Sequence, residues 1–152
     1  MSMLGRYRKP GGFEQLRDLL ESSLGKKRET LLKAIESEDK AFAALLKASL
    51  LTFDKILSWD PLMICEVSTK LGDKPLAVLL FGKSDEVFQR FTHTMRDLKK
   101  RDLKAMMEGM KPSPVEMETA HIKLVEKVRQ MERDGSLRLD REGNPQLIPK
   151  TA

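Results

Sequence analysis

The chain has 152 residues and a net charge of +5, with 40% apolar and 34% charged residues. That is an ordinary globular composition, sufficient for one domain, or one domain with a small helical annex, and it excludes a disordered chain. The lone Cys65 excludes an internal disulfide framework, and the longest apolar run, Leu76 to Phe81, is too short to cross a bilayer. With a single cysteine, a reduced cytoplasm is the natural setting, and the N-terminus lacks the apolar core of a signal peptide. Aromatics are only 5%, while the good helix formers Leu, Met, Ala, Lys and Glu abound, which favours an all-α fold.

Residues 1–10 read as a flexible basic tail (Arg6, Arg8, Lys9). After Gly11-Gly12, a first helix carries Phe13, Leu16, Leu19 and Leu20 at helical spacing, and Gly25 ends the run. A second helix carries Leu31, Leu32 and Ile35. A third begins near Ser37, with Asp39 in its first turn, and carries Phe42, Leu45 and Leu46. Leu50-Leu51-Thr52-Phe53 breaks the pattern and reads as a linker. Asp60-Pro61 signals a helix start, a capping carboxylate followed by proline, and the helix carries Leu62, Ile64, Val67 and Leu71 up to Gly72. Asp73 and Pro75 open the apolar run Leu76 to Phe81, read as a buried central helix, with a buried strand as the rival. Ser84 caps a helix with Val87, Phe88 and Phe91. Met95 to Gly109 is a charged helix. Ser113-Pro114, with Glu116 at the third helical position, has the form of a capping box opening the longest helix, which ends at Gly135. The last segment reads as able to form a small hairpin with its turn around Gly143-Asn144.

No catalytic or cofactor constellation emerges. His93 and His121 lack acidic or thiol partners at ligand spacing, so no metal site is expected. Cys65 sits among Leu62, Ile64 and Val67 and reads as a buried inert thiol. No glycine-rich loop precedes a helix to cradle phosphate. An enzyme is therefore not expected, and no cofactor. Met106, Met107 and Met110 read either as core or as an adaptable binding surface.

These segments together resemble the C-terminal region of the FliG family of bacterial flagellar motor switch proteins. FliG proteins carry a glycine pair, a helix, and a Lys-Arg start running to an acidic Glu-Asp. Here that is GGFEQLRDLLESS followed by GKKRETLLKAIESEDKAFAALL. The family's Met-Phe-x-Phe hinge falls on Leu50, Leu51, Thr52 and Phe53, with Asp54 as the following acid. Its Ala-Leu-x-Gly segment is matched by LAVLLFG up to Gly82, and its Gly-Pro turn becomes Lys111-Pro112. The last helix, normally Val-Glu-x-x-Gln, is matched by Met117, Glu118 and His121, with one residue fewer near Ser113. The resemblance spans residues 11–139. It implies an armadillo-like right-handed helical superhelix: a helical layer at 11–49, a hinge at 50–53, a six-helix unit at 54–135 and a tail at 136–152. It further implies a protein–protein role at the cytoplasmic face of the flagellar basal body. FliG, FliM and the stator's cytoplasmic loop are the implied partners, with no nucleic acid and only indirect membrane contact.

The charged positions by which the family meets the stator fall on Phe81, Leu98, Ala105, Met106 and Pro114, none of them charged. On a helical projection, Met95, Leu98, Ala105, Met106, Met107 and Met110 share one broad apolar arc that includes Leu103, with Lys99 and Asp102 spaced to pair inside it. Two readings stand. Either the arc is covered within the fold or by a second copy of the chain, or it is a hydrophobic partner surface. The partner-binding set is Arg96, Lys99, Lys100, Arg101, Asp102, Lys104, Met106 and Met110. Two alternatives ignore the resemblance. One is a winged-helix DNA-binding protein, which the carboxylates on the long helix oppose; the other is a generic helical scaffold.

Overall fold

The computed structural model describes residues 3–146. Among these residues the fold is all-helical apart from one two-stranded hairpin. The chain divides between Leu51 and Thr52 into two compact units, with the hairpin segment from Leu137 grouped with the first.

The first unit holds α1 (Gly12–Glu21), α2 (Gly25–Glu38) and α3 (Lys40–Ser49), preceded by a short 3-10 helix, Met3–Tyr7. Their apolar stripes close on a core of Leu4, Leu16, Leu20, Ile35, Ala43, Leu46 and Leu50, with Phe13 meeting Phe42 edge-on at 5.7 Å. The expected flexible tail therefore needs correction. Leu4 is fully buried, and its N–H donates to a Glu38 carboxylate oxygen at 3.1 Å, so the core recruits this turn. Gly12 lets the chain double back: a Cβ there would collide with the Tyr7 carbonyl.

Two helix boundaries also differ from expectation. α1 ends at Glu21, and Gly25 begins α2 rather than ending α1. Arg28 supports the early stop, because its guanidinium donates to the last-turn carbonyls of Leu20 (2.8 Å) and Glu21 (3.1 Å). Asp39 is the N-cap of α3, not a first-turn residue; its carboxylate accepts the Phe42 N–H at 3.1 Å. That hydrogen bond, helped by Arg8 at 3.2 Å, holds its pKa below the usual carboxylate value.

The second unit holds α4 (Phe53–Leu57), α5 (Pro61–Leu71), α6 (Asp73–Leu80), α7 (Asp85–Thr92), α8 (Asp97–Glu108) and α9 (Pro114–Arg133). The expected start signals act as caps. Asp60 accepts from Leu62 N–H, Ser84 from Val87 N–H, and Ser113 with Glu116 forms a full capping box. Gly72, at φ 97°, ends α5 and caps α6 at once, which joins the two without a loop. The run from Leu76 is helical, not a strand, and buries Leu76, Ala77, Leu79 and Leu80. α9 is the central helix: α4, α5 and α6 pack on it, and it buries Ala120, Leu124, Val125, Val128, Arg129 and Met131.

In the hairpin, β1 (Arg138–Leu139) pairs antiparallel with β2 (Pro145–Gln146), Arg138 opposite Gln146. Asp140 organises the turn by accepting the N–H groups of Glu142 and Asn144, both at 2.9 Å.

Candidate partner-binding face on α8

α8 begins at Asp97, two residues later than the sequence pattern suggests. Arg96 is its N-cap, without a side-chain cap, and Asp97 places a carboxylate in the first turn, where the helix dipole favours it. The helix packs on α6 and buries a single residue, Leu103, at 1% exposure. Met107 and Met110 lie half-buried on the same side.

The single apolar arc therefore splits in two. Leu103, Met107 and Met110 turn inward. Leu98, Ala105 and Met106 turn outward, with Leu98 69% and Met106 37% exposed. The sequence projection was too wide because an arc of about 200° exceeds what one packing face covers. The methionines divide accordingly: Met106 is a surface residue, and Met107 and Met110 are partly core.

The expected Lys99–Asp102 pair does not form. Lys99 reaches back to Asp73 at the start of α6, with Nζ 2.6 Å from Oδ1. Lys100 donates to Gln89 on α7 at 3.2 Å. Lys104 lies 3.8 Å from Asp85 and 5.0 Å above the Phe88 ring. Three of the predicted contact residues thus brace α8 against its neighbours. Arg96, Arg101 and Asp102 are exposed on its surface.

Of the five positions aligned with the family's charged contacts, Leu98, Ala105, Met106 and Pro114 are exposed and Phe81 is half-buried. Phe81, Gly82, Lys104, Met107 and Glu108 line an open recess of about 320 Å³ between the end of α6 and α8.

At the linker, Leu50 and Leu51 are buried, and the Leu51 N–H donates to the buried Glu21 carboxylate at 2.8 Å. Thr52 caps α4 by accepting from Lys55 N–H, and Phe53 is the first residue of that helix. The Phe53 ring stacks on Phe91 (5.5 Å, 7°) and on His121 (4.9 Å, 12°), and Lys83 Nζ lies 5.1 Å from its centroid. His121 Nε2 is buried without a hydrogen-bond partner among the described residues. Burial, then the Lys83 charge, push its pKa below the ordinary histidine value, against the opposing pull of Asp54 and Glu118. Sequence reasoning missed this stack because its members lie far apart in the chain and only the fold joins them.

The Cys65 thiol is buried, 3.5 Å from the Phe91 carbonyl, and accepts the Thr94 N–H at 3.4 Å. Among the described residues, no group of three or more His, Cys, Asp or Glu side chains is placed to hold a metal ion. No helix among them is long and apolar enough to cross a membrane.

Residues 33–139 match the family model for the FliG C-terminal domain. The chain is 24% identical over 143 residues to the flagellar motor switch protein FliG of Thermotoga maritima, covering 93% of this chain and 43% of that protein. It is 26% identical over 143 residues to FliG of Bacillus subtilis, covering 93% of this chain and 42% of that one. The chain thus spans less than half the length of these curated relatives. Full-length FliG from Aquifex aeolicus superposes with a TM-score of 0.53 at 24% identity, covering 82% of this chain and 39% of that one. A FliG crystal structure from H. pylori superposes with a TM-score of 0.54 at 21% identity, covering 79% of this chain and 53% of that one. These two establish likeness of fold. With the family model covering most of its length, the chain belongs to the FliG C-terminal domain family.

Proposed function

We propose that this chain is a FliG-like component of the flagellar motor switch, acting through protein–protein contacts and without catalysis, at the cytoplasmic face of the basal body. The observation that carries the reading, given the family, is the outward face of α8. It is a helix held by one buried leucine and three bracing lysines, with Leu98, Ala105 and Met106 facing solvent. A helix so lightly buried and so deliberately braced is suited to display. The proposed partner contact is apolar at its centre, with Arg96, Arg101 and Asp102 exposed as charged groups. It replaces a contact made by charge pairing alone.

The proposed partners are FliG, FliM and the stator's cytoplasmic loop. The proposed organisation keeps an armadillo-like layer at 11–49, a hinge at 50–53 and a superhelical six-helix unit at 54–135. Leu51 and Phe53 support the hinge reading, since each is anchored on its own side of the Leu51–Thr52 boundary. A DNA-binding reading gains no support from α9, whose outer face exposes the carboxylates of Glu116 and Glu126, groups that phosphates would repel.

The test is capture of purified FliM, FliG and stator-loop peptide by the chain, scored with Leu98→Asp and with charge reversal at the exposed Arg96 and Arg101. An apolar contact predicts that Leu98→Asp abolishes capture. If charge reversal alone abolishes it while Leu98→Asp is neutral, the contact is electrostatic. If neither variant matters, α8 is not the contact.

A further inference from the structure

We propose that the outward face of α8 pairs with the same face of a second copy of this chain, antiparallel and about a two-fold axis. The proposal rests on reading α8 as the partner-binding helix and names one partner for it. Leu98, Arg101, Asp102 and Ala105 are spaced i, i+3, i+4, i+7, so they form one stripe along the helix. All four are exposed, and the stripe lies opposite the buried Leu103. Among the described residues, neither the Arg101 nor the Asp102 side chain makes an ion pair or hydrogen bond.

The stripe is complementary to itself in one orientation. With the axis between Arg101 and Asp102, an antiparallel copy sets Leu98 against Ala105 of the second copy, and Arg101 against Asp102 of the second copy. Two-fold symmetry repeats each contact. A large side chain then meets a small one at each end, about 10 Å apart at 1.5 Å rise per residue. Two opposite-charge pairs lie between them. A parallel copy would set Arg101 against Arg101 and Asp102 against Asp102, which charge repulsion disfavours. Lys99, Lys100 and Lys104 stay out of the way, since each is engaged with α6 or α7 within its own chain. A single helix face is smaller than the interface of a stable dimer, so the pairing is transient and concentration-dependent.

Sedimentation equilibrium of the full chain tests this, with circular dichroism confirming that each variant is folded. The expected result is a reversible dimer that Leu98→Asp weakens by about tenfold or more. Arg101→Asp and Asp102→Arg each weaken it about fivefold, because each sets like charges against one another twice. The double swap Arg101→Asp with Asp102→Arg restores dimerisation, and so does mixing the two single variants. A chain that stays monomeric up to about millimolar concentration overturns the proposal. So does a dimer indifferent to Leu98→Asp, or a double swap that fails to restore it. A monomeric chain that still captures switch proteins through Leu98 overturns the pairing and leaves the motor reading standing. A pairing chain that captures none supports the pairing and removes the motor reading.

Discussion

α8 and α9 are neighbours in sequence and in the same unit, both amphipathic and heavily charged, yet the fold uses them in opposite ways. α9 has a complete capping box and buries six residues beneath three other helices. α8 has no side-chain cap and buries one. What secures α8 is a ring of side-chain bridges to α6 and α7, each worth little on its own. The difference separates a helix that builds the core of the unit from one held on its surface by side-chain bridges.

Breaking the two helices should reveal that asymmetry. Leu124→Ala, at a fully buried position on α9, should cost about 3–4 kcal/mol by cavity formation and destabilise the whole second unit in chemical denaturation. Leu103→Ala on α8 should cost about 2 kcal/mol, the low end for a buried leucine. Hydrogen exchange should then speed up in α8 while α9 amides stay protected; equal acceleration in both would end the comparison. Ser113→Ala removes the N-cap of α9 and should cost about 1 kcal/mol, read as a shift in the denaturation midpoint at unchanged slope.

The His121 stack sharpens the same contrast through pH. Its folded-state pKa lies below the ordinary 6.5, so on acidification the unfolded chain takes the proton first. Stability is therefore full above that value and is lost as pH falls below it towards the folded-state pKa. Denaturation midpoints at about pH 7.5 and about pH 5.5 should diverge, and His121→Gln should reduce the divergence. A variant with the same pH dependence as the parent would show that other groups carry it.

The parts of the fold that were readable in advance are those written in local chemistry. Asp60-Pro61, Ser84 and Ser113 with Glu116 act as caps because each side chain satisfies a backbone N–H two or three residues away. The apolar run from Leu76 and the turn at Gly143-Asn144 were legible for the same reason. Boundaries failed where a distant side chain intervened. Arg28 supports the early end of α1 from eight residues downstream, and Glu38 helps hold the N-terminal turn down through Leu4. On α8, helical spacing assigned the two sides too coarsely: Leu103 is buried, while Leu98, Ala105 and Met106 are exposed.

The sequence alone therefore settles the helical class, most start signals, and the family, because these depend on neighbours within a few residues or on ordered motifs. The tertiary structure decides which half of the α8 arc is spent in the core and which is left to solvent. It also decides that Lys99 pairs with Asp73 rather than Asp102, and that Phe53 meets His121. Those outcomes depend on how α6, α7 and α9 lie against one another, and helical periodicity carries no information about which neighbour arrives on which side.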